Sequence, residues 1–218
     1  MKTTFASLKN SGFWYCVSWH VFFAFNDLLG RIEIYGFDKA PKRNCIIVAN
    51  HVSFLDPPTM SVFHNDNVSV IARDTLMKNP ILRIYFSALN AIPIKRGGND
   101  FGAIREALKR IKNGHSLIIF PEGTRTEDGN LLRAKPGAAM LALKAKIPVL
   151  PIRSFGYFKI MPKSNKVTAG TRITIIAGNP INVADIDPQK GDHNRAQIIA
   201  DRIMEHIAKI EYKWHYHV

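Results

Sequence analysis

The chain has 218 residues, of which 46% are hydrophobic, and its 30 Lys and Arg residues against 17 Asp and Glu give a formal net charge of +13. This length and apolar content predict one domain with a complete core, and no internal repeat, low-complexity tract or long linker divides it. The positive charge predicts an anionic partner, while the two cysteines, Cys16 and Cys45, form no CxxC pair and argue against a metal site or disulfide framework.

The N-terminal segment is unusually apolar. Residues 11–26 contain no charged side chain and are dense in Phe, Trp and Tyr. The run is shorter than the roughly 20 apolar residues that a spanning helix needs, and it lacks the small residues that end a signal peptide. It predicts either a buried first helix or, as we favour, a membrane-associated helix within residues 1–30, because Trp and Tyr prefer the membrane interface. Residues 31–218 then form the main domain.

After residue 30, short apolar runs alternate with amphipathic helical patterns. Strands are predicted at residues 31–35, 45–49, 68–72, 92–95, 116–120, 149–153 and 172–177. Helices are predicted at residues 81–89, 99–113, 136–146 and 194–209. Strands separated by helices predict a single α/β domain whose mostly parallel sheet is flanked by helices. In such sheets, functional residues gather where loops leave the carboxyl ends of the strands.

The loop after the second predicted strand contains His51 and Asp56. A neutral imidazole can take a proton from a hydroxyl group, and a carboxylate on its other nitrogen fixes the tautomer and stabilises the imidazolium. A tight turn before Pro57 would bring the two side chains together. The pair is a weak signal by itself, because a chain with eight histidines easily contains such a spacing by chance. Asp56 before proline also fits the N-cap of a helix, and it could fill both roles.

The loop after the fifth predicted strand reads Phe-Pro-Glu-Gly-Thr-Arg at residues 120–125. The Arg125 guanidinium suits a phosphate, Gly123 permits close approach of the backbone, and Glu122 can position neighbouring groups. Thr124 adds a hydroxyl. A surface turn with an incidental Glu/Arg pair explains the same residues equally well.

Two further segments carry little information alone. Residues 92–98 place Lys95 and Arg96 at a strand end before two glycines, which is a candidate anion site or simply a solvated strand end. Residues 147–152 form a strand flanked by prolines, and core packing is its natural interpretation.

The order of these four segments is far more specific than any one of them. Residues 50–57, Asn-His-Val-Ser-Phe-Leu-Asp-Pro, resemble the first block of the glycerolipid acyltransferase family, which includes the 1-acylglycerol-3-phosphate acyltransferases. Residues 92–96 are similar to the second block, residues 120–125 match the third, and residues 147–152 are similar to the fourth. The resemblance covers about residues 30–185.

The resemblance implies roles for eight residues. His51 corresponds to the catalytic base and Asp56 to its partner carboxylate. Substrate binding is implied for Arg73, Arg96, Glu122, Gly123, Thr124 and Arg125. Among these, Arg125 is expected to reach the phosphate of the acceptor, and Arg73 stands where relatives often have a lysine that faces the same phosphate.

The implied reaction moves a fatty acyl group from acyl-CoA or acyl-carrier protein to the free hydroxyl of 1-acylglycerol-3-phosphate and gives phosphatidic acid. No metal or cofactor beyond the donor is expected. The expected partners are membrane lipids, especially anionic ones, the lysophospholipid acceptor and the donor, but not nucleic acid. The expected location is the cytoplasmic face of a membrane, such as the bacterial inner membrane, with peripheral or monotopic attachment.

Three alternatives stay open at this point. The acceptor can be another lysolipid, such as lyso-ornithine lipid or a lysophospholipid with a larger head group, or glycerol 3-phosphate. The protein can be a non-catalytic basic binder of membranes or nucleic acid, although no Lys/Arg tract or nucleic-acid motif favours the latter. It can also be an inactive acyltransferase relative that serves as a membrane scaffold.

Overall fold

The fold is described from a computed structural model, which covers Ala24 and residues 30–61, 68–95, 101–164, 167–188 and 192–212. The predicted N-terminal membrane helix and Arg96 lie outside the described residues, so both stay predictions. None of the helices within these residues is long and apolar enough to cross a membrane.

The domain is built on a mostly parallel sheet, as the sequence predicts. Its strands are β1 (Ile32–Tyr35), β2 (Ile46–Ala49), β3 (Val68–Arg73), β4 (Ile92–Ile94), β5 (Ser116–Ile119), β6 (Val149–Phe155) and β7 (Ile173–Ala177). In the described residues they form one seven-stranded sheet in the order β1-β7-β6-β2-β5-β3-β4. Every neighbouring pair is parallel except β6 and β7.

Helices cover both faces of this sheet. They are α1 (Asp56–Met60), α2 (Pro80–Ala88), α3 (Phe101–Lys112), α4 (Gly137–Ala145), α5 (Tyr157–Ile160) and α6 (Arg195–Ala208). Short 3-10 helices occupy Phe37–Lys39, Asp74–Lys78 and Val183–Ile186. Residues of α1, α2 and α5 pack on one face, and residues of α3, α4 and α6 pack on the other.

The central strand β2 shows why the sequence forms this arrangement. Ile46, Ile47, Val48 and Ala49 are all fully buried. Successive side chains of a strand point to opposite faces, so Ile47 and Ala49 join one core cluster while Ile46 and Val48 join the other. An uninterrupted apolar run is therefore required here, as is typical of parallel strands covered on both sides.

The topology places the two motif-bearing loops side by side. β5 and β6 are the two neighbours of β2, and both run parallel to it. The carboxyl ends of these three strands consequently meet at one edge of the sheet, which we call the carboxyl edge. The loop after β2 carries His51, and the loop after β5 carries Glu122 and Arg125.

Candidate active site

The first element of the site is a hydrogen bond between His51 and Asp56. The two side chains meet at 2.9 Å between His51 Nδ1 and Asp56 Oδ2, as the predicted turn requires. Asp56 is fully buried, whereas 19% of the His51 side chain is exposed. A carboxylate accepts hydrogen bonds, so Nδ1 carries the proton and Nε2 keeps the lone pair that a general base needs. Phe120 stacks on the imidazole with ring centroids 4.2 Å apart, which further fixes the plane of the ring.

Asp56 is held in place by the turn that precedes it. Its Oδ2 accepts the backbone N–H groups of Val52 at 2.7 Å and Ser53 at 2.8 Å. Asp56 is the first residue of α1, and Leu55 occupies the N-cap position without a side-chain cap. The predicted N-cap role is therefore wrong. The carboxylate points back into the turn because three N–H groups converge there: the backbone N–H groups of Val52 and Ser53 and the ring Nδ1–H of His51.

Glu122 joins the second loop to the first. Its Oε1 accepts the backbone N–H of His51 at 3.0 Å, and its Oε2 accepts that of Leu132 at 3.3 Å. Glu122 is only 2% exposed. Burial raises the pKa of its carboxyl group to about 7, the two backbone hydrogen bonds oppose this rise, and the negative charge of Asp56 adds to it. Glu122 thus fixes the backbone of the histidine, which agrees with the positioning role suggested by the sequence.

Residues 123–126 of the loop after β5 form a tight turn that contacts the backbone of His51. Gly123 donates its N–H to Phe120 O at 2.9 Å and adopts a φ of +66°, a conformation that favours glycine. Thr124 and Arg125 are half-buried. The buried Thr126, which the sequence did not single out, donates its N–H to the carbonyl of His51 at 2.9 Å.

The structure brings Arg73 and Arg125 into electrostatic contact. Arg73 ends β3, the strand on the far side of β5 from β2, so it lies on the carboxyl edge as well. Burial lowers the pKa of Arg125, the charge of Asp56 raises it, and the positive charge of Arg73 lowers it again. Two guanidinium groups that repel one another beside a catalytic pair form a suitable site for a dianion.

Ser53 and Cys45 are the serine and cysteine beside the first loop. Ser53 donates its hydroxyl to Met161 O at 2.8 Å and accepts the N–H of Leu55 at 3.2 Å, so its hydroxyl supports the turn. Cys45 is fully buried just before β2, and burial raises the pKa of its thiol to about 12. Within the described part of the chain, no group of three His, Cys, Asp or Glu residues could hold a metal ion.

A buried contact between the loop after β2 and strand β6 escaped the sequence analysis. The side chain of Asn50 accepts the Ser154 N–H at 2.8 Å and donates to the Ser154 carbonyl at 3.1 Å. The Ser154 hydroxyl also lies 3.5 Å from Asp56 Oδ1. Asn50 belongs to the first sequence block, residues 50–57. Ser154 lies about a hundred residues further along the chain, and only the sheet order brings the two residues together.

In chemical terms, the carboxyl edge combines an oriented base with a group of cations. His51 Nε2 can accept a proton, Asp56 can stabilise the resulting imidazolium, and Arg73 and Arg125 can neutralise an anion nearby. Such a set is suited to deprotonating a hydroxyl near an anionic group.

Comparison with known proteins identifies the family. A family model described as acyltransferase matches residues 31–154, more than half of the chain. The chain therefore belongs to the acyltransferase family, which confirms the resemblance seen in the sequence.

Several relatives carry more specific names. The chain is 30% identical over 162 residues to a chloroplastic 1-acyl-sn-glycerol-3-phosphate acyltransferase of Arabidopsis thaliana, an alignment that covers 72% of this chain and 45% of the relative. It is 27% identical over 184 residues to a 1-acyl-sn-glycerol-3-phosphate acyltransferase of Borreliella burgdorferi, covering 83% and 73%. The crystal structure of the 1-acyl-sn-glycerophosphate acyltransferase of Thermotoga maritima superposes with a TM-score of 0.70 at 26% identity, covering 91% of this chain and 81% of that one.

Coverage differs among these relatives. The alignments span 40% of a chloroplastic 1-acyl-sn-glycerol-3-phosphate acyltransferase of Brassica napus, which is 31% identical over 62% of this chain, and 45% of the Arabidopsis protein. The chain thus matches less than half the length of these two plant relatives.

Proposed function

We propose that this protein transfers a fatty acyl group from a thioester donor, acyl-CoA or acyl-carrier protein, to the free hydroxyl of 1-acylglycerol-3-phosphate. The product is phosphatidic acid, an intermediate of phospholipid synthesis. The observation that carries the proposal is the 2.9 Å hydrogen bond between His51 Nδ1 and the buried Asp56, because it leaves Nε2 as the base. The names of the relatives support the choice of acceptor.

The reaction proceeds without a covalent acyl-enzyme. His51 Nε2 takes the proton of the acceptor hydroxyl as its oxygen attacks the carbonyl carbon of the thioester. The C–O bond forms, the carbonyl oxygen becomes an oxyanion, and the collapse of this tetrahedral intermediate breaks the C–S bond. The departing thiolate takes the proton from the imidazolium, so the base is regenerated. Asp56 stabilises the imidazolium between these two steps.

The oxyanion needs hydrogen-bond donors, and the existing contacts narrow the choice. The backbone N–H of His51 donates to Glu122, and those of Val52 and Ser53 donate to Asp56. The N–H of Gly123 closes the turn onto Phe120. These four groups are committed to the fold, so donors to the oxyanion must come from other groups at this edge.

The acceptor phosphate is assigned to Arg125 and Arg73. A phosphomonoester carries up to two negative charges near neutral pH, and it would relieve the repulsion through which Arg73 lowers the pKa of Arg125. Arg96 is expected to contribute from the second block. Glu122, Gly123 and Thr124 shape the turn that presents Arg125 to this phosphate.

Membrane lipids are the proposed partners of the exposed face of α2. Ile81 and Ile84 are 75% and 73% exposed, and both lie on this helix. Two exposed cations lie close to them along the chain, Lys78 before the helix and Arg83 between the two isoleucines. Apolar side chains beside cations suit an anionic bilayer, where each well-placed cation adds about 1 kcal/mol of attraction. We place the protein on the cytoplasmic face of a membrane, such as the bacterial inner membrane, with peripheral or monotopic attachment.

The reaction is tested by thiol release from detergent-solubilised full-length protein with palmitoyl- or oleoyl-coenzyme A as donor. The acceptor panel contains lysophosphatidic acid, lyso-ornithine lipid and glycerol 3-phosphate, and His51→Ala is the control. Release that depends on His51 and on lysophosphatidic acid supports the proposal, whereas release with another acceptor keeps the mechanism and changes the substrate. No release with the panel, either from coenzyme A or from acyl-carrier-protein donors, would contradict the proposal.

The membrane face is tested by flotation with vesicles of phosphatidylcholine and phosphatidylglycerol. We expect the double variant Ile81→Ser, Ile84→Ser to bind these vesicles several times more weakly than the unchanged protein. Val167→Ser is the matched control, because Val167 is also exposed, at 48%, but lies outside the helices. Equal flotation of all three proteins would exclude α2 as the membrane face.

A further inference from the structure

Lys135 has an unusual position beside the Gly123 turn. A Cβ atom on Gly123 would lie 3.1 Å from Lys135 Cδ, 3.3 Å from Cε and 3.4 Å from Nζ. The absence of a side chain at residue 123 therefore leaves room for the stem of the lysine. The sequence suggested that Gly123 lets the backbone approach a ligand, and the structure adds that it lets a lysine cross the turn.

The backbone holds Lys135 against this turn. Its N–H donates to Pro121 O at 2.8 Å, and three residues earlier the N–H of Leu132 donates to Glu122 Oε2 at 3.3 Å. Ala134 is 4% exposed and packs into the core. The approach of Lys135 to Gly123 thus follows from anchored backbone on both sides of the turn, although the lysine itself is exposed.

The charge of Lys135 is not neutralised by the residues around it. The carboxylate of Glu122, in the same turn as Gly123, faces inward, toward the N–H groups of His51 and Leu132. Across the described residues, no ion pair includes Lys135. An ordinary surface lysine does not require a backbone hydrogen bond to a neighbouring turn or a glycine that makes room for its side chain. The two features together indicate that the position of Lys135 is specified.

The start of α4 adds to the positive potential at this point. The helix begins at Gly137, has no acidic residue in its first turn and has no side-chain cap at Pro136. A Cβ on Gly137 would meet nothing within 4 Å, so open space adjoins this helix end. Amide groups at the start of a helix favour anions, and here they lie two residues from an ammonium group.

We propose that Lys135 binds a phosphate group of a substrate, as a third described cation of the site besides Arg73 and Arg125. This inference rests on the proposed acyl transfer and names a further specificity-determining residue for it. The phosphate belongs either to the acceptor or to the donor, since coenzyme A and the phosphopantetheine arm of an acyl carrier both contain phosphate. The chemistry is the same in both cases, and kinetics separates the two sources.

The test compares Lys135→Met with Lys135→Arg and Lys144→Met. Methionine keeps most of the stem that packs on Gly123 and removes the charge, whereas arginine keeps the charge. Lys144 is an exposed lysine near the other end of α4, so its replacement makes the same change in net charge away from the site. We expect Lys135→Met to raise one KM about tenfold with little change in kcat, since a charge-assisted hydrogen bond to phosphate is lost. Lys135→Arg should recover most of this loss, and Lys144→Met should match the unchanged protein.

The KM that rises identifies the phosphate. A rise for lysophosphatidic acid assigns Lys135 to the acceptor, and a rise for the acyl-CoA assigns it to the donor. If both KM values stay within twofold, or if kcat falls together with the melting temperature while arginine restores neither, the proposal is wrong.

Calorimetric titration tests phosphate binding by Lys135 independently of whether the proposed acyl transfer occurs. Coenzyme A and lysophosphatidic acid are each titrated into the full-length protein and into Lys135→Met, and neither measurement needs turnover. A tenfold weaker affinity for one of the two ligands supports Lys135 even where no thiol release is detected. Equal affinities for both ligands would overturn the assignment even in an active enzyme.

Discussion

His115 precedes β5 at the opposite edge of the sheet, where β2, β5 and β6 begin, which we call the amino edge. His51 follows β2 at the carboxyl edge. Both histidines are partly buried. His115 Nδ1 is 3.1 Å from the hydroxyl of Ser69, and Arg110 reaches the same hydroxyl at 3.3 Å. His51 Nδ1 instead meets the buried carboxylate of Asp56.

The two edges differ in what neutralises their charges. Arg110 donates to Glu106 at 2.9 Å and to the carbonyl of Asn90 at 2.8 Å, so its charge is paired within the fold. At the carboxyl edge, Arg125 lies near another arginine, Arg73, whose charge lowers its pKa. The same residue types therefore support the fold at one edge and gather around the His51–Asp56 pair at the other.

The largest expected effect comes from replacing the histidine at each edge by asparagine. His51→Asn removes the base and should lower kcat on the order of 10⁴-fold, the upper range for general-base catalysis. His115→Asn, which alters only the amino edge, should leave kcat within about threefold and reduce stability instead. Thiol release and thermal unfolding of both variants measure the two effects. Similar losses of activity in both variants would show that the edges are not functionally distinct.

The second prediction concerns the carboxylate that the amino edge lacks. Asp56→Asn should lower kcat on the order of 10³-fold, because a neutral amide does not stabilise the imidazolium. The amide oxygen can still accept the N–H groups of Val52 and Ser53, so the turn should survive. Near-ultraviolet circular dichroism checks the fold, and steady-state kinetics checks the loss. Full activity in a folded Asp56→Asn protein would mean that the charge of Asp56 does not stabilise an imidazolium on His51.

The sequence predicted the strands well because each is a continuous apolar run between turn residues. β2, for example, was expected at residues 45–49 and is observed at Ile46–Ala49 in the sheet centre, one residue shorter. The blocks also placed His51, Asp56 and Glu122 in adjoining loops.

Contacts between distant segments could not be predicted in this way. Ser154 supports Asn50, and Lys135 crosses Gly123, only because the sheet order and the return of the chain after the Gly123 turn bring them together. Neither contact leaves a periodic or local signal in the sequence. The contact of Asp56 with His51 was predicted, but its N-cap role was not observed, because the carboxylate accepts the backbone N–H groups of Val52 and Ser53 in the preceding turn.

The third prediction compares one arginine from each edge. Arg125→Ala should raise the KM for lysophosphatidic acid by about ten- to a hundredfold, since it removes a charge-assisted contact with phosphate. Arg110→Ala should leave this KM unchanged and lower the melting temperature, because Ser69 and Asn90 lose a donor. Kinetics with a fixed donor concentration, paired with thermal unfolding, separates the two outcomes. A rise in KM for Arg110→Ala as large as that for Arg125→Ala would contradict the assignment of the phosphate to the carboxyl edge.

The fourth prediction uses the buried carboxyl group at the carboxyl edge. The pKa of Glu122 is raised from 4.5 to about 7 in the folded protein, so the folded state binds more protons than the unfolded state between these values. Its contribution to stability is complete below about pH 4.5 and falls as the pH rises through 7, by roughly 3 kcal/mol. Glu122→Gln should remove this decline from the free energy of unfolding, measured by urea titration at several pH values. An unchanged slope in the variant would show that Glu122 does not titrate in this range.

The smallest expected effect has the opposite sign and belongs to the amino edge. Burial lowers the pKa of His115 below 6.5, the charge of Arg110 lowers it further, and Glu106 partly opposes both. The folded state therefore binds fewer protons than the unfolded state just below pH 6.5, and the contribution of His115 to stability is lost as the pH falls through this window. His115→Asn should flatten that acid-side loss while leaving the decline due to Glu122. Opposite changes of slope in the two variants would establish that each edge titrates independently, whereas identical changes would mean that the two networks are coupled through β5.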